Sequence, residues 1–229
     1  MGKQIASASI PGISHRNMFY NNQDAFKIIE AENFVVGIVC DGCGSCVNSE
    51  IGAKLTAEFT SNYCFEKFRY KKFNGVELAN AVIRFYEECS KIILTKNKRV
   101  FFNDTFFVTI IGFIFSDKQN VIFSAGDGVI VVDNEIEIIN QENAPDYLTH
   151  NLLSKKSYSF NERVLEKGNF SRVLIATDGI EDLWVETEPK DIIEKLFAED
   201  NFKDDINLFR FLSQSEIYDD TTLVLFKQR

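Results

Sequence analysis

The order of strand-like and helix-like segments predicts an α+β fold in which sheets are sandwiched between helices. Short runs rich in β-branched and aromatic residues predict seven strands, at 34–40, 105–115, 120–124, 128–132, 135–139, 172–176 and 221–226. Helical periodicity predicts two long helices between the first two strands and two shorter ones, 189–200 and 204–214, before the last strand. Because strands and helices occur in blocks, an alternating parallel arrangement is disfavoured.

The two long helices are predicted from their caps and apolar stripes. Asn48 or Ser49 can cap the first helix. Its stripe at helical spacing consists of Ile51, Leu55, Phe59 and Tyr63. The second helix, from about 75 to 96, has a stripe formed by Leu78, Val82 and Phe85. Further on, the pair Asp133-Asn134 predicts a hairpin turn, whereas residues 140–170 show no clean period and are predicted to form a surface excursion.

Length and composition predict one globular domain over residues 1–229. The chain is 45% hydrophobic, contains 22 Phe, and has neither a repeat nor a Pro/Gly/Ser-rich linker. Its net charge of -9 and its lack of a basic cluster argue against nucleic acid or an anionic membrane as partner. Since no signal-peptide-like segment and no run of 18 apolar residues occurs, a cytoplasmic location is expected.

Three apolar strand-like runs are each followed by an aspartate and a glycine. The pairs are Asp41-Gly42, Asp127-Gly128 and Asp178-Gly179. A strand end holds a carboxylate on a rigid scaffold, and the glycine lets the backbone turn and approach a ligand closely. A single pair of this kind is more often only a turn, so it is the repetition that indicates one shared site.

Further carboxylates extend this pattern. Asp219 and Asp220 directly precede the last predicted strand, and Asp24 follows Asn22-Gln23. Converging carboxylates repel one another and resist ionisation unless cations are bound. Hard oxygen ligands suit Mg²⁺ or Mn²⁺. The sequence therefore predicts a carboxylate metal site.

The cysteines offer an alternative interpretation. Cys40, Cys43 and Cys46 lie in IVCDGCGSC at a spacing typical of thiolate metal sites. A tetrahedral thiolate site needs four ligands, and the other cysteines, Cys64 and Cys89, fall inside predicted helices. We therefore interpret Cys40 as a core residue and the next two as loop residues near the metals. Five cysteines are compatible with a reducing compartment.

Six sequence blocks together resemble a known family. In chain order they are NNQDAF, VCDGCGSCVNSEIGA, NDTFFVTIIGFIF, FSAGDG, LIATDGIEDL and YDDTTLVLF. Their order and approximate spacing are similar to the metal-dependent Ser/Thr protein phosphatases of the phosphatase 2C type, and the N-terminal form resembles the bacterial branch. The resemblance implies a four-layer αββα sandwich, with two central antiparallel sheets flanked by helix pairs. It also implies that 140–170 contains the flap beside the site.

The resemblance assigns the central metal ligands residue by residue. Asp41 resembles the aspartate that bridges two catalytic metals, and Gly42 the glycine whose carbonyl oxygen binds one of them. Asp178 and Asp219 resemble the carboxylates that hold the first metal. These three aspartates are therefore the predicted catalytic residues.

The outer positions follow in the same way. Asp24 resembles the residue that contacts the second metal directly or through water, and Asp127 resembles a ligand to a third, weaker metal. Many family members grip the substrate phosphate with an arginine where this chain has Phe19. Arg16 or His15 is the expected substitute. Supporting positions are matched by Thr105, Asp182 and Thr222.

The implied activity is hydrolysis of phosphoserine and phosphothreonine in proteins, with Mn²⁺ or Mg²⁺ as cofactor. Two cations about 3.5–4 Å apart hold a water, lower its pKa and aim it at phosphorus, so no covalent nucleophile is needed. The expected partner is a phosphorylated protein, with a Ser/Thr kinase opposing the enzyme. The missing arginine leaves one alternative, a regulatory or binding module that keeps the fold without the reaction.

Overall fold

A computed structural model describes residues 3–141, 145–150, 152 and 159–228 of the chain. Its strands are β1 (Lys3–Ile10), β2 (Ala25–Ala31), β3 (Phe34–Gly42), β4 (Val108–Ser116), β5 (Asn120–Ala125), β6 (Gly128–Val132), β7 (Glu135–Ile139), β8 (Asn161–Val164), β9 (Arg172–Ala176) and β10 (Thr221–Gln228). Its α-helices are α1 (Ile13–Met18), α2 (Ser49–Tyr63), α3 (Gly75–Ile92), α4 (Lys98–Phe106), α5 (Pro189–Phe197), α6 (Glu199–Phe202) and α7 (Asp205–Ser213). A π-helical turn, Cys64–Phe68, extends α2, and a 3₁₀ helix, Asp178–Trp184, follows β9.

The strands form two five-stranded sheets. One has the order β1-β10-β9-β6-β7 and the other β2-β3-β4-β5-β8. Neighbouring strands run antiparallel in both sheets. The first and last strands of the chain are therefore paired, and this pairing brings residues near both termini to one end of the sandwich.

Three hydrophobic clusters separate four layers. Between the two sheets lie Val35, Val39, Phe113, Ile175 and Val224, among others. Between the β2–β3–β4–β5 sheet and helices α2 to α4 lie Val36, Ile38, Ala53, Ala57 and Val82. Between the other sheet and the late helices lie Leu174, Leu225, Ile193, Leu196 and Leu208. Strands covered on both faces read as continuous apolar runs. The predicted αββα sandwich is confirmed.

The hairpin prediction is also confirmed. Val132 pairs with Glu135, so Asp133 and Asn134 form a two-residue turn between β6 and β7. Asp133 has a φ of 53°, the left-handed conformation that Asp tolerates better than most residues.

The predicted strand 105–115 is wrong at its start. Thr105 and Phe106 end helix α4, and the strand begins only at Val108. The side chain of Asn97 caps α4 by accepting a hydrogen bond from the Val100 amide at 3.2 Å. Phe106 stacks on Tyr86 of α3, with ring centroids 4.1 Å apart. Tertiary packing thus makes a helix of a segment whose aromatic composition favours a strand.

The predicted apolar stripe of α2 does not face the core throughout. Ile51 and Leu55 remain 48% and 39% exposed. The buried face consists instead of small residues, Gly52, Ala53, Thr56, Ala57 and Thr60. Small side chains let the helix approach its neighbours closely. The stripe therefore fails as a guide to orientation, although the helix itself is confirmed.

Replacing Gly52 with alanine is expected to destabilise the protein by about 3 kcal/mol. A Cβ at Gly52 would overlap the carbonyl oxygen of Thr105, which is backbone and cannot swing aside. Urea unfolding measures the change, and Lys54→Ala, on the exposed face of the same helix, serves as control. Equal stabilities of the Gly52 variant and the wild type would contradict this close packing.

The region 140–170 lies partly outside the described residues. Among those described, 161–164 form β8, an edge strand paired with β5. Tyr147, Leu148, Phe160 and Phe170 are buried. These four side chains pack into the fold, whereas most of residues 161–169 are exposed, and the surface excursion stays a prediction for the region as a whole. None of the described helices is long and apolar enough to cross a membrane.

Candidate functional site

The antiparallel registers place the predicted carboxylates at neighbouring strand ends. Ala25 pairs with Cys40, so Asp24 and Asp41 are adjacent across β2 and β3. Asp178 follows β9 and Asp219 precedes β10, which are themselves paired. Each sheet thus contributes one pair of carboxylates. Both pairs lie at the same end of the sandwich, where the hydroxyl of Thr177, the residue before Asp178, donates to Asp24 at 2.7 Å.

Asp24 is the most deeply buried member of this carboxylate cluster, at 3% exposure. Burial raises its pKa well above the usual range, and the negative charges of Asp220, Asp219 and Asp178 raise it further. The Thr177 hydroxyl donates to Oδ2 at 2.7 Å and acts in the opposite direction. Oδ1 is buried and has no hydrogen-bond partner. An oxygen of this kind is available to a cation.

The remaining members of the cluster are perturbed in the same direction. Burial raises the pKa of Asp41, and the charges of Asp24 and Asp178 add to the effect. Burial raises the pKa of Asp178 from 3.8 to about 6, with Asp219 as the next cause. Desolvation also raises the pKa of Asp219, although this residue is among the exposed ones. The cluster therefore favours protons or cations over four free negative charges.

The backbone at Gly42 leaves no room for a side chain. A Cβ there would lie 2.7 Å from the Ser49 carbonyl oxygen and 2.8 Å from that of Gln23. The loop before β2 and the start of α2 therefore close tightly around the residue that follows Asp41. A glycine is required at this point, so the Asp-Gly pair has a steric basis as well as a chemical one.

The residues present fit a hard divalent cation. Four converging carboxylates, one of them with an unpartnered buried oxygen, are the ligand type that Mg²⁺ and Mn²⁺ prefer. Within the described part of the chain, however, no three His, Cys, Asp or Glu side chains already surround one point at metal-binding spacing. The carboxylates are therefore close enough to one another to bind an ion together after small side-chain movements, but they are not arranged as a complete coordination sphere.

Asp127 forms a second acidic group with Asp178 and Glu181. Burial raises the pKa of Asp127, whose Oδ1 is buried and unpartnered. The charge of Asp127 raises the pKa of both Asp178 and Glu181, after burial as the main cause. Asp127 therefore lies beside the carboxylate cluster, on the side of the 3₁₀ helix. Glu181 is a neighbour that sequence reasoning misses, and its place one turn after Asp178 is the signal that could have found it.

Asp220 belongs to the acidic pattern of the sequence, but its role as a hydrogen-bond acceptor for distant amides is visible only in the structure. Its Oδ1 accepts the Gly12 amide at 2.8 Å. Its Oδ2 accepts the Gln23 amide at 2.6 Å and lies 2.8 Å from Nδ1 of His15. This buried carboxylate joins β10 to the loop that carries Asp24. The two adjacent aspartates therefore serve different purposes. Asp220 accepts backbone amides, whereas Asp219 belongs to the carboxylate cluster.

Two further groups hold the cluster in place. The amide of Thr222 donates to the Thr177 hydroxyl at 2.9 Å, and that hydroxyl in turn donates to Asp24. Asp182 accepts the amides of Tyr218 at 2.6 Å and Asp219 at 3.1 Å. The supporting positions Thr222 and Asp182 therefore contact the residues that carry the carboxylates.

Replacing Asp220 with alanine is expected to lower the free energy of unfolding by about 3 kcal/mol. The change leaves the buried amide of Gly12 and the partly buried amide of Gln23 without an acceptor. Denaturant unfolding measures the loss. Asp117→Ala, at an exposed ion pair with Lys167, is the matched control and is expected to change stability by less than about 1 kcal/mol. Equal effects of the two substitutions would contradict the role given to Asp220.

The residues predicted to bind substrate phosphate lie on the short helix α1. His15 is held by Asp220, and its positive form lowers the pKa of Asp219, against the dominant effect of desolvation. Arg16 is exposed. Phe19, at the position of the family arginine, ends α1 in the left-handed conformation and is 95% exposed. The structure thus brings His15 to the edge of the carboxylate cluster and leaves the other two on the surface.

The three cysteines of the IVCDGCGSC segment have different surroundings. Cys40 is fully buried in the cluster between sheet and helices, where burial raises the pKa of its thiol, and its interpretation as a core residue is confirmed. Cys43 and Cys46 are partly exposed in the turn after Gly42. Cys64 lies among apolar side chains of the core. The structure therefore gives no support to a site that would join these thiols in one tetrahedral set.

Comparison with known proteins gives a match to one protein family. The family model of protein phosphatase 2C matches residues 11–219. The chain belongs to the protein phosphatase 2C family. No curated protein matches the sequence significantly.

Among solved structures, the fold is similar to that of bacterial serine/threonine phosphatases. The phosphatase Stp1 from Staphylococcus aureus matches with a TM-score of 0.66 and 16% identity, over 100% of this chain and 96% of that one. The serine/threonine phosphatase of S. agalactiae gives a TM-score of 0.63 and 13% identity, over 100% of both chains. RsbX in complex with magnesium gives 0.61 and 14%, over 98% and 94%. Family and fold together support serine/threonine phosphatase function in general.

Proposed function

We propose that the chain hydrolyses phosphoserine and phosphothreonine in proteins and depends on Mn²⁺ or Mg²⁺ held by its carboxylate cluster. The single observation that carries this proposal is the convergence of Asp24, Asp41, Asp178 and Asp219, with pKa values raised by burial and mutual repulsion. An arrangement that is costly without a cation is expected where a cation belongs to the working protein.

The proposed metal ligands are the four aspartates, the carbonyl oxygen of Gly42 and, for a third, weaker ion, Asp127. When bound, paired divalent cations supply a water of lowered pKa and shield the phosphoryl oxygens. The chain's own contribution is placement. Thr177 fixes one oxygen of Asp24, Asp182 fixes the backbone at Asp219, and Asp220 joins both sheets' contributions.

Substrate recognition is proposed to use α1. His15 has its Nδ1 engaged with Asp220, which leaves Nε2 as its remaining hydrogen-bonding atom. Arg16, one residue on, supplies a permanent positive charge on the exposed side. These residues replace the arginine that the family has at the position of Phe19. The proposed partner is a phosphorylated protein in the cytoplasm, opposed by a Ser/Thr kinase.

Hydrolysis of p-nitrophenyl phosphate and of a phosphothreonine peptide tests the proposed activity. We expect phosphate release with Mn²⁺ or Mg²⁺ and its loss in EDTA, because the carboxylates alone offer no nucleophile of lowered pKa. Restored release after metal is added back separates chelation from unfolding. Release that continues unchanged in EDTA would contradict metal dependence.

A regulatory or binding module is the second candidate function. The observation that favours it is Phe19, which is exposed where the family has an arginine that binds phosphate. Calorimetry with Mn²⁺ separates the two proposals. Absence of binding at millimolar metal favours the module. Binding without hydrolysis of either substrate also favours the module, in this case one that has kept the metal site.

A further inference from the structure

Cys43 and Cys46 occupy the two ends of a tight turn between β3 and α2. The Cys46 amide donates to the Cys43 carbonyl oxygen at 2.9 Å. A turn closed by this hydrogen bond has terminal Cα atoms less than about 7 Å apart. Disulfides span Cα separations of about 4.4–6.8 Å. The backbone therefore already holds the two cysteines at a separation that a disulfide can bridge.

The two thiols are also open to solvent. Cys43 Sγ lies 3.3 Å from the hydroxyl oxygen of Ser45, a residue between the two cysteines. Both residues are partly exposed, whereas Cys40 and Cys64 are fully buried. A small oxidant can reach this pair without unfolding the protein.

We propose that Cys43 and Cys46 form a redox-active dithiol that closes to an intramolecular disulfide when a peroxide oxidises it. One thiol sulfur attacks a peroxide oxygen, the O–O bond breaks, and a sulfenic acid and one water form. The second thiol attacks the sulfenic sulfur, the S–O bond breaks, and a second water leaves. Two thiols and one hydrogen peroxide thus give one disulfide and two waters, and an external thiol reverses the change.

The turn is tied to the carboxylate cluster by its backbone. The Cys46 carbonyl oxygen accepts hydrogen bonds from Gln23 Nε2 and from the Ser49 hydroxyl, each at 3.3 Å. Gln23 directly precedes Asp24, and the carbonyl groups of Gln23 and Ser49 enclose Gly42. Ring closure between Cys43 and Cys46 therefore acts on the segment that positions two of the proposed metal ligands.

The Cys43 end of the turn is fixed to a neighbouring segment of the chain. The Tyr147 ring stacks on Phe107, with centroids 4.8 Å apart, and the Phe107 carbonyl oxygen accepts the Cys43 amide at 2.9 Å. Because the Cys43 end is held in this way, ring closure is expected to displace the Cys46 end, whose carbonyl oxygen holds Gln23 and Ser49. Oxidation is thus expected to weaken metal binding, a consequence that rests on the proposed function.

Differential alkylation with mass spectrometry tests the dithiol directly, without reference to activity. The folded protein is treated with hydrogen peroxide, alkylated, digested and compared with a reduced sample. We expect a peptide with a Cys43–Cys46 disulfide, lost after dithiothreitol, while Cys89 remains alkylated. In Cys46→Ser the disulfide cannot form, and Cys43 is expected to stop at the sulfenic acid or oxidise further. Unchanged alkylation of both thiols, or irreversible oxidation of Cys43 beside a free Cys46 in the wild type, would overturn the proposal.

Calorimetry with Mn²⁺ on the reduced and oxidised proteins tests the coupling. We expect the affinity to fall by about tenfold or more on oxidation, the scale seen when an outer contact to a metal ligand is lost. Oxidised Cys46→Ser, which lacks the disulfide, is the control. Equal affinities of the reduced and disulfide forms would refute the coupling. If neither form binds Mn²⁺ while the disulfide still forms, the proposed function fails and the dithiol stands.

Discussion

Replacing Asp41 with asparagine is expected to reduce metal-stimulated phosphate release by about 1,000-fold or more. Asp41 is the proposed bridge between the metals, and removing a single donor from a preorganised site costs about 10²–10³ in rate even where no metal charge is involved. The change preserves the size and shape of the side chain and removes its negative charge, so lost activity reports lost charge. Initial rates with Mn²⁺ at saturating concentration measure the effect.

The same substitution is expected to stabilise the metal-free protein. It removes a carboxylate whose pKa is raised by burial and by the charges of Asp24 and Asp178. Thermal unfolding in EDTA is therefore expected to give a higher midpoint for Asp41→Asn than for the wild type. In Mn²⁺ the order is expected to be reversed. Asp117→Asn, at an exposed position, is the control and is expected to behave as the wild type. An Asp41→Asn protein that keeps full activity would show that Asp41 is not a ligand.

The stability of the metal-free protein is expected to fall as pH rises from about 4 to above 6. Burial raises the pKa of Asp178 from 3.8 to about 6, so in this interval the folded chain retains a proton that the unfolded chain releases. The contribution is fully present below about pH 4 and is lost as pH passes the folded value. For Asp178 it is on the order of 3 kcal/mol. The raised pKa values of Asp24 and Asp41 act in the same direction and extend the fall to higher pH.

Divalent metal is expected to reverse this dependence. A cation binds the ionised carboxylates, so its stabilisation grows as pH rises. At a metal concentration about 100 times the dissociation constant the gain is about 2.7 kcal/mol. Urea unfolding at about pH 4, 5, 6 and 7, in EDTA and in Mn²⁺, measures both trends. Metal-free stability that stays flat across this range would contradict the raised pKa values.

Much of the architecture could be predicted because strands that are buried on both faces have continuously apolar sequences. β3 is apolar along its length, since Val35 and Val39 face the other sheet while Val36 and Ile38 face the helices. Such a run predicts a central strand without revealing its neighbours. Strands 128–132, 135–139 and 172–176 have the predicted bounds. By contrast, β1 alternates serine and alanine, and its pairing with β10 depends on contacts far apart in the chain.

The helices show where sequence patterns fail. In α2 the apolar side chains of Ile51 and Leu55 remain exposed because close packing of Gly52 against α4 decides the orientation of the helix. The rest of the predicted stripe is only partly buried. Hydrophobic periodicity marks the face with the large apolar side chains as the buried one, whereas close packing between helices requires small side chains at the contact. No local pattern contains that information.

The site divides in a similar way. The Asp-Gly pairs mark Asp41, Asp127 and Asp178 because each follows an apolar run. Asp220 extends this acidic pattern, but the pattern does not reveal its acceptor role, which depends on the amides of Gly12 and Gln23, 208 and 197 residues earlier in the chain. The ligand candidates and the supporting positions Asp182 and Thr222 are thus readable from the sequence, whereas the role of Asp220 in holding the loop before β2 is visible only in the structure.

Phosphate release from a phosphothreonine peptide, measured against Mn²⁺ concentration for the wild type and Asp41→Asn, tests the central proposal most directly. We expect saturable, EDTA-sensitive release by the wild type and release at background level by the variant, with both proteins folded by circular dichroism. Metal-independent release, or equal release by the two proteins, would contradict a carboxylate-bound metal as the source of activity.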